Sequence, residues 1–181
     1  MTRFDLFALR DEKTVLRNPH KGWYWHYIDC GYSRPRYRDD AALIGDVSRF
    51  PGLSTLYLRF DWCDVNPARG VFDFSYLERI MDEWRGCEFG LRMCAFQTEV
   101  RRWGNNQRAA PDFVREAGAA GSWLENDAWE PDYGDPVFLS LMEEALLRLG
   151  ERFDRDPRVE YVDIGSFGRY GEGHTRRAVY G

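Results

Sequence analysis

The stretch LSTLYLRFDW, residues 53–62, decides the fold because it has the pattern of a strand with two different faces. Side chains along a strand point alternately to opposite sides, so every second residue shares a face. The apolar set is Leu56, Leu58 and Phe60, and the polar set is Tyr57, Arg59 and Asp61. This alternation predicts a strand that packs against helices on one face and carries Arg59 and Asp61 on the other.

Strands and amphipathic helices alternate along the rest of the chain. FSYLERIMDEW (74–84) has the apolar spacing of one helical face, and FGLRMCAFQ (89–97) reads as the next strand. The other predicted elements are strands at 22–28 and 159–165 and helices at 41–50 and 136–153. A long irregular stretch covers about 98–135. Alternation of this kind predicts a parallel sheet with helices outside it.

Two architectures fit this order, a doubly wound open sheet and a (β/α) barrel. A dinucleotide-binding doubly wound domain has a glycine-rich turn after its first strand, which YIDCGYSRPR (27–36) lacks. Barrel enzymes collect polar residues at the carboxyl ends of their strands. Residues of that kind are Asp29, Asp61, Asp64, Gln97, Glu99, Glu172 and His174. We therefore predict an α/β fold of the TIM (β/α)8 barrel type.

The strand count predicts only part of a barrel. A complete barrel has eight strands and about 250 residues, whereas this chain of 181 residues supplies four predicted strands. We interpret residues 1–181 as a single domain, the N-terminal half of a barrel with about four βα units, truncated or in need of a partner. Open sheet edges favour self-association. A small complete open sheet is the alternative.

Composition and charge exclude several function classes. The chain is 44% hydrophobic and 30% charged with a net charge of −5, which is typical of a globular protein without a nucleic-acid partner. No apolar run is long enough to span a membrane, and no signal peptide is visible, which makes a cytoplasmic location the default and leaves secretion open. The cysteines Cys30, Cys63, Cys87 and Cys94 lack zinc-site spacing. We expect no cofactor.

The segment GSFGRYGEGHT, residues 165–175, is the strongest candidate for a site. It follows the last predicted strand and surrounds Glu172 with glycines, which we expect to let a ligand approach closely. Phe167 and Tyr170 could shield the carboxyl group from water. Glu172 and His174 supply two metal ligands, fewer than a metal site needs, so no metal is expected.

YLRFDWCDVNPARGVFDFSYLERIMDEWRGCEFGLRM (57–93) resembles the second βα unit of the clan of (β/α)8 retaining glycosidases that includes the beta-galactosidases. NPHKGWY (18–24) and VDIGSFGRYGEGH (162–174) are similar to a barrel family placed near that clan. The resemblance covers residues 18–175. It departs from the clan at Gly171, where an Asn usually precedes the Glu, and at Asn66, where an acidic residue is often found.

The resemblance implies a hydrolase of O-glycosidic bonds. By position, Glu172 matches the general acid/base at the end of the fourth strand, and the nucleophile at the end of the seventh strand would lie outside this chain. The fragment alone is then expected to be inactive. The alternative is a non-catalytic carbohydrate-binding or assembly barrel.

The remaining candidates would bind or support a carbohydrate substrate. Arg59 either forms a structural pair or helps to hold a catalytic carboxylate ionised, as the matching Arg does in the clan. His174 could orient Glu172 or contact a sugar hydroxyl, and His26 is either core or substrate contact. Trp and Tyr side chains of the long loop could stack on sugars, or they could form a small core that holds the loop together. The full substrate-binding set is Arg59, Asp61, Trp62, His26, Gln97, Glu99, His174, Trp103 and Trp129, with Trp123 and Tyr133 as further loop aromatics. Arg92 and Asp163 are expected to form an interior ion pair.

Overall fold

Four parallel strands form one sheet, and the computed structural model places the long helices against its apolar face. It describes Phe7 and residues 10–13, 21–28, 52–96, 109–124 and 128–174. In chain order the elements are β1 (Trp23–Ile28), β2 (Leu53–Asp61), α1 (Trp62–Val65), α2 (Ser75–Glu83), β3 (Glu88–Cys94), α3 (Asp112–Glu116), β4 (Gly121–Trp123), β5 (Trp129–Pro131), α4 (Pro136–Phe153), β6 (Val159–Val162) and a 3-10 helix at Arg169–Gly171.

The sheet order is β1-β2-β3-β6, and every pairing in it is parallel. The predicted mixed α/β fold with a parallel sheet is therefore confirmed. Among the described residues β1 and β6 each pair with a single strand, so these residues do not form a closed barrel. The (β/α)8 barrel, the single domain and self-association through the sheet edges stay predictions. A separate antiparallel pair joins β4 to β5.

Both faces of β2 are buried, and its apolar and polar side chains alternate as the sequence predicts. Leu56, Leu58 and Phe60 are inaccessible to solvent and belong to the hydrophobic core, but Arg59 and Asp61 are buried as well. Strands of parallel sheets are commonly covered on both faces. In β2 the alternation of apolar and polar residues therefore distinguishes two buried faces, and neither face is exposed to solvent. The polar face of β2 therefore lies inside the protein, where its charges need partners.

The predicted helices are confirmed where the structure describes them. The helix predicted at 74–84 is α2, and the one predicted at 136–153 has the same bounds as α4. Their buried side chains join the core on the apolar face of the sheet: Leu77, Met81, Phe138, Met142, Ala145, Leu149 and Phe153. The helix predicted at 41–50 lies outside the described residues. No helix in the described ranges is long and apolar enough to cross a membrane.

The N-terminus of α4 gives a stability prediction. The Asp135 carboxylate accepts hydrogen bonds from the backbone N–H groups of Val137 and Phe138, both at 2.9 Å. These bonds, with that from Phe138 the largest contribution, hold the pKa of Asp135 below its ordinary value. We expect Asp135→Ala to lower the melting temperature at neutral pH by about 3 °C, measured by circular dichroism.

The pH dependence of the loss in melting temperature shows whether the Asp135 carboxylate causes it. Because the pKa of Asp135 is lowered in the folded state, the stabilisation is present above the unfolded-state pKa of about 3.9 and is lost as the pH falls through the folded-state pKa. The difference between wild type and Asp135→Ala should therefore shrink below about pH 4. Asp135→Asn, which keeps an acceptor without the carboxyl titration, should lose little at neutral pH. A difference that does not change with pH would contradict the carboxylate cap.

Candidate functional site

Residues 165–174, called the Glu172 segment below, lie at the carboxyl ends of β2, β3 and β6. An ion pair connects this segment to β2. Arg59 Nη1 of β2 donates to Glu172 Oε1 at 2.8 Å. The Arg59 side chain is only 10% exposed and that of Glu172 is 45% exposed. A buried guanidinium needs an anionic or hydrogen-bonding partner, and Glu172 supplies one. The contact therefore brings together two of the residues that the sequence selects.

Glycines allow the chain around Glu172 to turn tightly onto itself. Gly168 and Gly171 have φ angles of 80° and 70°, in the left-handed region that favours glycine. A Cβ on Gly165 would collide with the Arg92 side chain, one on Gly168 with the backbone of His174, and one on Gly171 with the carbonyl group of Gly165. The expectation that these glycines make room for a ligand is wrong for these three, because the protein's own atoms fill the space.

Tyr170 connects the segment to the sheet and to two arginines. Its N–H donates to the Phe96 carbonyl oxygen at 3.0 Å, and its own carbonyl accepts from Cys94 Sγ at 3.4 Å. Its φ of 57° is positive, which is uncommon for a residue with a bulky side chain. The guanidinium carbons of Arg59 and Arg169 lie 5.6 and 4.7 Å from the centre of its ring. Both cations are within the range of a cation–π interaction.

A second charged network lies on the same face of the sheet. Arg92 is the register partner of Arg59, and its Nη2 lies 3.0 Å from Asp163 Oδ2. The predicted ion pair between Arg92 and Asp163 is thereby confirmed. The Tyr57 hydroxyl donates to the same carboxylate at 2.5 Å. Burial raises the pKa of that hydroxyl, and the bond to Asp163 raises it further, so Tyr57 remains a neutral donor.

Three predicted substrate contacts lie in the interior. Asp61 is inaccessible to solvent and forms a capping box with Asp64 at the start of α1. Trp62 is also inaccessible, and its Nε1 donates to Asn66 Oδ1 at 3.0 Å. Trp129 is 4% exposed and belongs to the hydrophobic core, which leaves no open ring face for a sugar.

The other predicted contacts are more accessible or lie elsewhere. His26 is partly buried, with its ring 4.9 Å from that of Tyr57, and His174 is exposed at the end of the segment. Trp123 is 51% exposed and the Arg115 guanidinium lies 5.6 Å from its ring. Gln97, Glu99 and Trp103 lie outside the described residues.

The sequence does not predict two charged residues that lie near the Glu172 segment. Arg169 packs on Tyr170, and Glu130 is a buried carboxylate next to Tyr133. Burial raises the pKa of the Tyr133 hydroxyl, and the charge of Glu130 contributes after it. The Tyr133 ring lies 4.7 Å from that of Phe167, so the loop before α4 contacts the Glu172 segment. Arg169 is adjacent to Tyr170 in the sequence, but nothing in the sequence indicates the stacking.

The described residues contain no group of three or more His, Cys, Asp and Glu side chains that could hold a metal ion. Cys63 and Cys94 are buried and Cys87 is partly buried, and no disulfide joins the described cysteines to one another. Glu172 with Arg59 can bind hydroxyl groups, exchange a proton or bind a cationic group. These properties suit acid/base chemistry or recognition of a polar ligand.

Comparison with solved structures shows a distant likeness in fold. No protein-family model and no curated protein matches the chain. Among solved structures it is similar to the beta-galactosidase from the psychrophilic Marinomonas ef1, with a TM-score of 0.45 and 16% identity. The match covers 77% of this chain and 21% of that enzyme, so the chain spans about a fifth of its length. This likeness is too distant to carry an argument about the site.

Proposed function

We propose that this chain contributes one catalytic carboxylate to a glycoside hydrolase of retaining type built on a (β/α)8 barrel. The observation that carries the proposal is the ion pair between Glu172 and Arg59. It joins a partly exposed carboxylate to a buried cation at the carboxyl end of a parallel sheet, which is the edge where barrel enzymes assemble their active sites. The resemblance of residues 18–175 to the retaining clan supports the same role.

The proposed chemistry uses Glu172 twice. As an acid it gives a proton to the glycosidic oxygen of the leaving group, and as a base it then activates a water molecule. Arg59 binds Oε1. Among the described residues no hydrogen-bond donor is assigned to Oε2, so Oε2 is the oxygen that we assign to proton transfer. A carboxylate held by a guanidinium is suited to the second step, in which it acts as an anion.

The second carboxylate is proposed to come from residues beyond the four described parallel strands. Retaining enzymes place their two carboxyl groups about 5–5.5 Å apart. The nucleophile would attack the sugar from the side opposite the leaving group. His174, which is exposed two residues beyond Glu172, is proposed to contact a sugar hydroxyl, and the half-exposed Phe167 to contact an apolar sugar face.

A panel of aryl glycosides of both anomeric configurations tests the proposal. We expect the protein, as its gene encodes it, to hydrolyse at least one of them with retention of configuration, read by proton NMR from the first product formed. We expect the isolated 181 residues to give no turnover. Turnover by the isolated chain that disappears in Glu172→Gln would overturn the placement of the nucleophile, and inversion would exclude the retaining mechanism.

A non-catalytic carbohydrate-binding barrel is the second candidate. The ion pair between Glu172 and Arg59 favours it, because a fixed pair of acceptor and donor can bind vicinal hydroxyl groups without any proton transfer. Saturable binding of saccharides by the gene-encoded protein, with no hydrolysis across the panel, would support the binding function over the enzyme.

A further inference from the structure

Among the described residues, three arginines lie close to the Glu172 segment, and two of them form an ion pair with an acidic side chain. Arg59 pairs with Glu172, and Arg92 pairs with Asp163. In the part of the chain that the structure describes, the polar partner of Arg169 is the neutral hydroxyl of Tyr170, which accepts from Nη2 at 2.8 Å. Nε of Arg169 is buried and forms no hydrogen bond with any residue that the structure describes. Arg169 therefore carries a positive charge that no described carboxylate compensates.

The Arg169 guanidinium is held in place before any ligand arrives. Its carbon lies 4.7 Å from the centre of the Tyr170 ring, and Nη2 bonds the hydroxyl of the same residue. The Arg169 N–H donates to the His174 carbonyl oxygen at 2.7 Å, which fixes the backbone beneath the side chain. A guanidinium that is already ordered loses less side-chain entropy when it binds an anion.

Tyr170 links the same cation to the ion pair of the proposed catalytic carboxylate. The Glu172 N–H donates to the Arg169 carbonyl oxygen at 3.0 Å. Arg59, which holds Glu172, lies against the same Tyr170 ring as Arg169. Arg169 and Arg59 share one aromatic ring, so a ligand group that binds Arg169 would lie in the neighbourhood of the pair between Arg59 and Glu172.

We propose that Arg169 binds a carboxylate or sulfate substituent of an anionic sugar at the Glu172 site. This inference rests on the proposed carbohydrate function and adds the substrate class to it. Charge-assisted hydrogen bonds from a guanidinium are stronger than neutral ones and favour carboxylate and sulfate oxygens. Uronic acids and sulfated sugars share this chemistry, and the two are separated by the probes below.

Binding of small saccharides to the gene-encoded protein tests the proposal. The probes are galacturonate, glucuronate, galactose 6-sulfate, galactose, glucose and inorganic sulfate, titrated at constant ionic strength by isothermal calorimetry. We expect at least one anionic sugar to bind about ten- to a hundredfold more tightly than its neutral counterpart. The dissociation constants of galacturonate and glucuronate, compared with that of galactose 6-sulfate, show whether the site binds a carboxylate or a sulfate substituent.

Arg169→Gln should remove that preference and leave binding of the neutral sugars unchanged. Tyr170→Phe keeps the ring and removes the hydroxyl that orients Arg169, so we expect it to reduce the preference in part. Arg79→Gln, which removes a cation on the exposed side of α2, is the matched control and should change nothing. Equal weakening of neutral and anionic sugars in Arg169→Gln would show that Arg169 does not contact the anion.

An NMR readout on the wild-type protein keeps the test valid if Arg169→Gln does not fold. The Arg169 Nε–H signal should shift with the anionic sugars and not with galactose or glucose. If inorganic sulfate shifts it and no sugar binds, the anion site stands and the carbohydrate function fails. If neutral and anionic sugars bind equally, the carbohydrate function stands and this inference fails. If no probe shifts the Arg169 signal, the inference is wrong.

Discussion

Replacing Glu172 by Gln is expected to lower kcat about a thousandfold on glycosides with poor leaving groups, because general acid catalysis contributes roughly that much. The amide keeps the size of the side chain and can still hydrogen bond Arg59, so the fold should survive. The measurement is kcat for alkyl and dinitrophenyl glycosides of the same sugar. A dinitrophenolate leaves without a proton, so release of the aglycone in the first step should be nearly normal.

The leaving-group dependence separates the possible roles of Glu172. A general acid/base gives large losses on alkyl glycosides and a fast burst followed by slow hydrolysis on dinitrophenyl glycosides. A nucleophile would give equal losses on both, which would contradict the assignment. Glu116→Gln, on an exposed side chain of α3, is the matched control and should have wild-type kcat. Unchanged activity in Glu172→Gln would remove Glu172 from the mechanism.

Much of the sheet could be predicted because local patterns decide it. The apolar residues of β2 and α2 repeat with the periods typical of a strand and of a helix. The residues selected by these periods are the ones that pack in the core. The same periodicity predicted α4 to the residue, and the structure explains its start by Pro136 at the first position after the capping Asp135. The ion pair between Arg92 and Asp163 could be predicted because alternation along two parallel strands placed both charges in the interior.

The site was predicted less well because its geometry depends on long-range contacts. The pairing of Arg59 with Glu172 joins residues 113 positions apart, and single-sequence patterns carry no signal for it. Trp129 and Trp62 were expected at a ligand but pack in the core, since an aromatic side chain is equally suited to both places. The left-handed conformation of Tyr170 could not be expected either, because non-glycine residues rarely adopt it.

Substitution of a glycine in the Glu172 segment is expected to have a large effect on stability. Gly171→Ala is expected to lower the free energy of unfolding by about 3 kcal/mol, because it combines a left-handed φ with overpacking. Its new Cβ would collide with the carbonyl oxygen of Gly165, a backbone atom that cannot rotate away. Denaturant unfolding, followed by circular dichroism, gives the free energy of unfolding.

Gly173→Ala is the matched control because it imposes the same backbone conformation without the collision. Gly173 has a φ of 75°, and an added Cβ would meet no atom within 4 Å. We expect a loss of about 1 kcal/mol from backbone strain alone. Hydrogen exchange at the Tyr170 amide, which bonds the Phe96 carbonyl oxygen, shows whether the segment has detached from β3. Exchange should accelerate strongly in Gly171→Ala and little in Gly173→Ala. Equal losses in the two variants would mean that Gly171 does not pack against Gly165, and Glu172 would then lack the support that holds it beside Arg59.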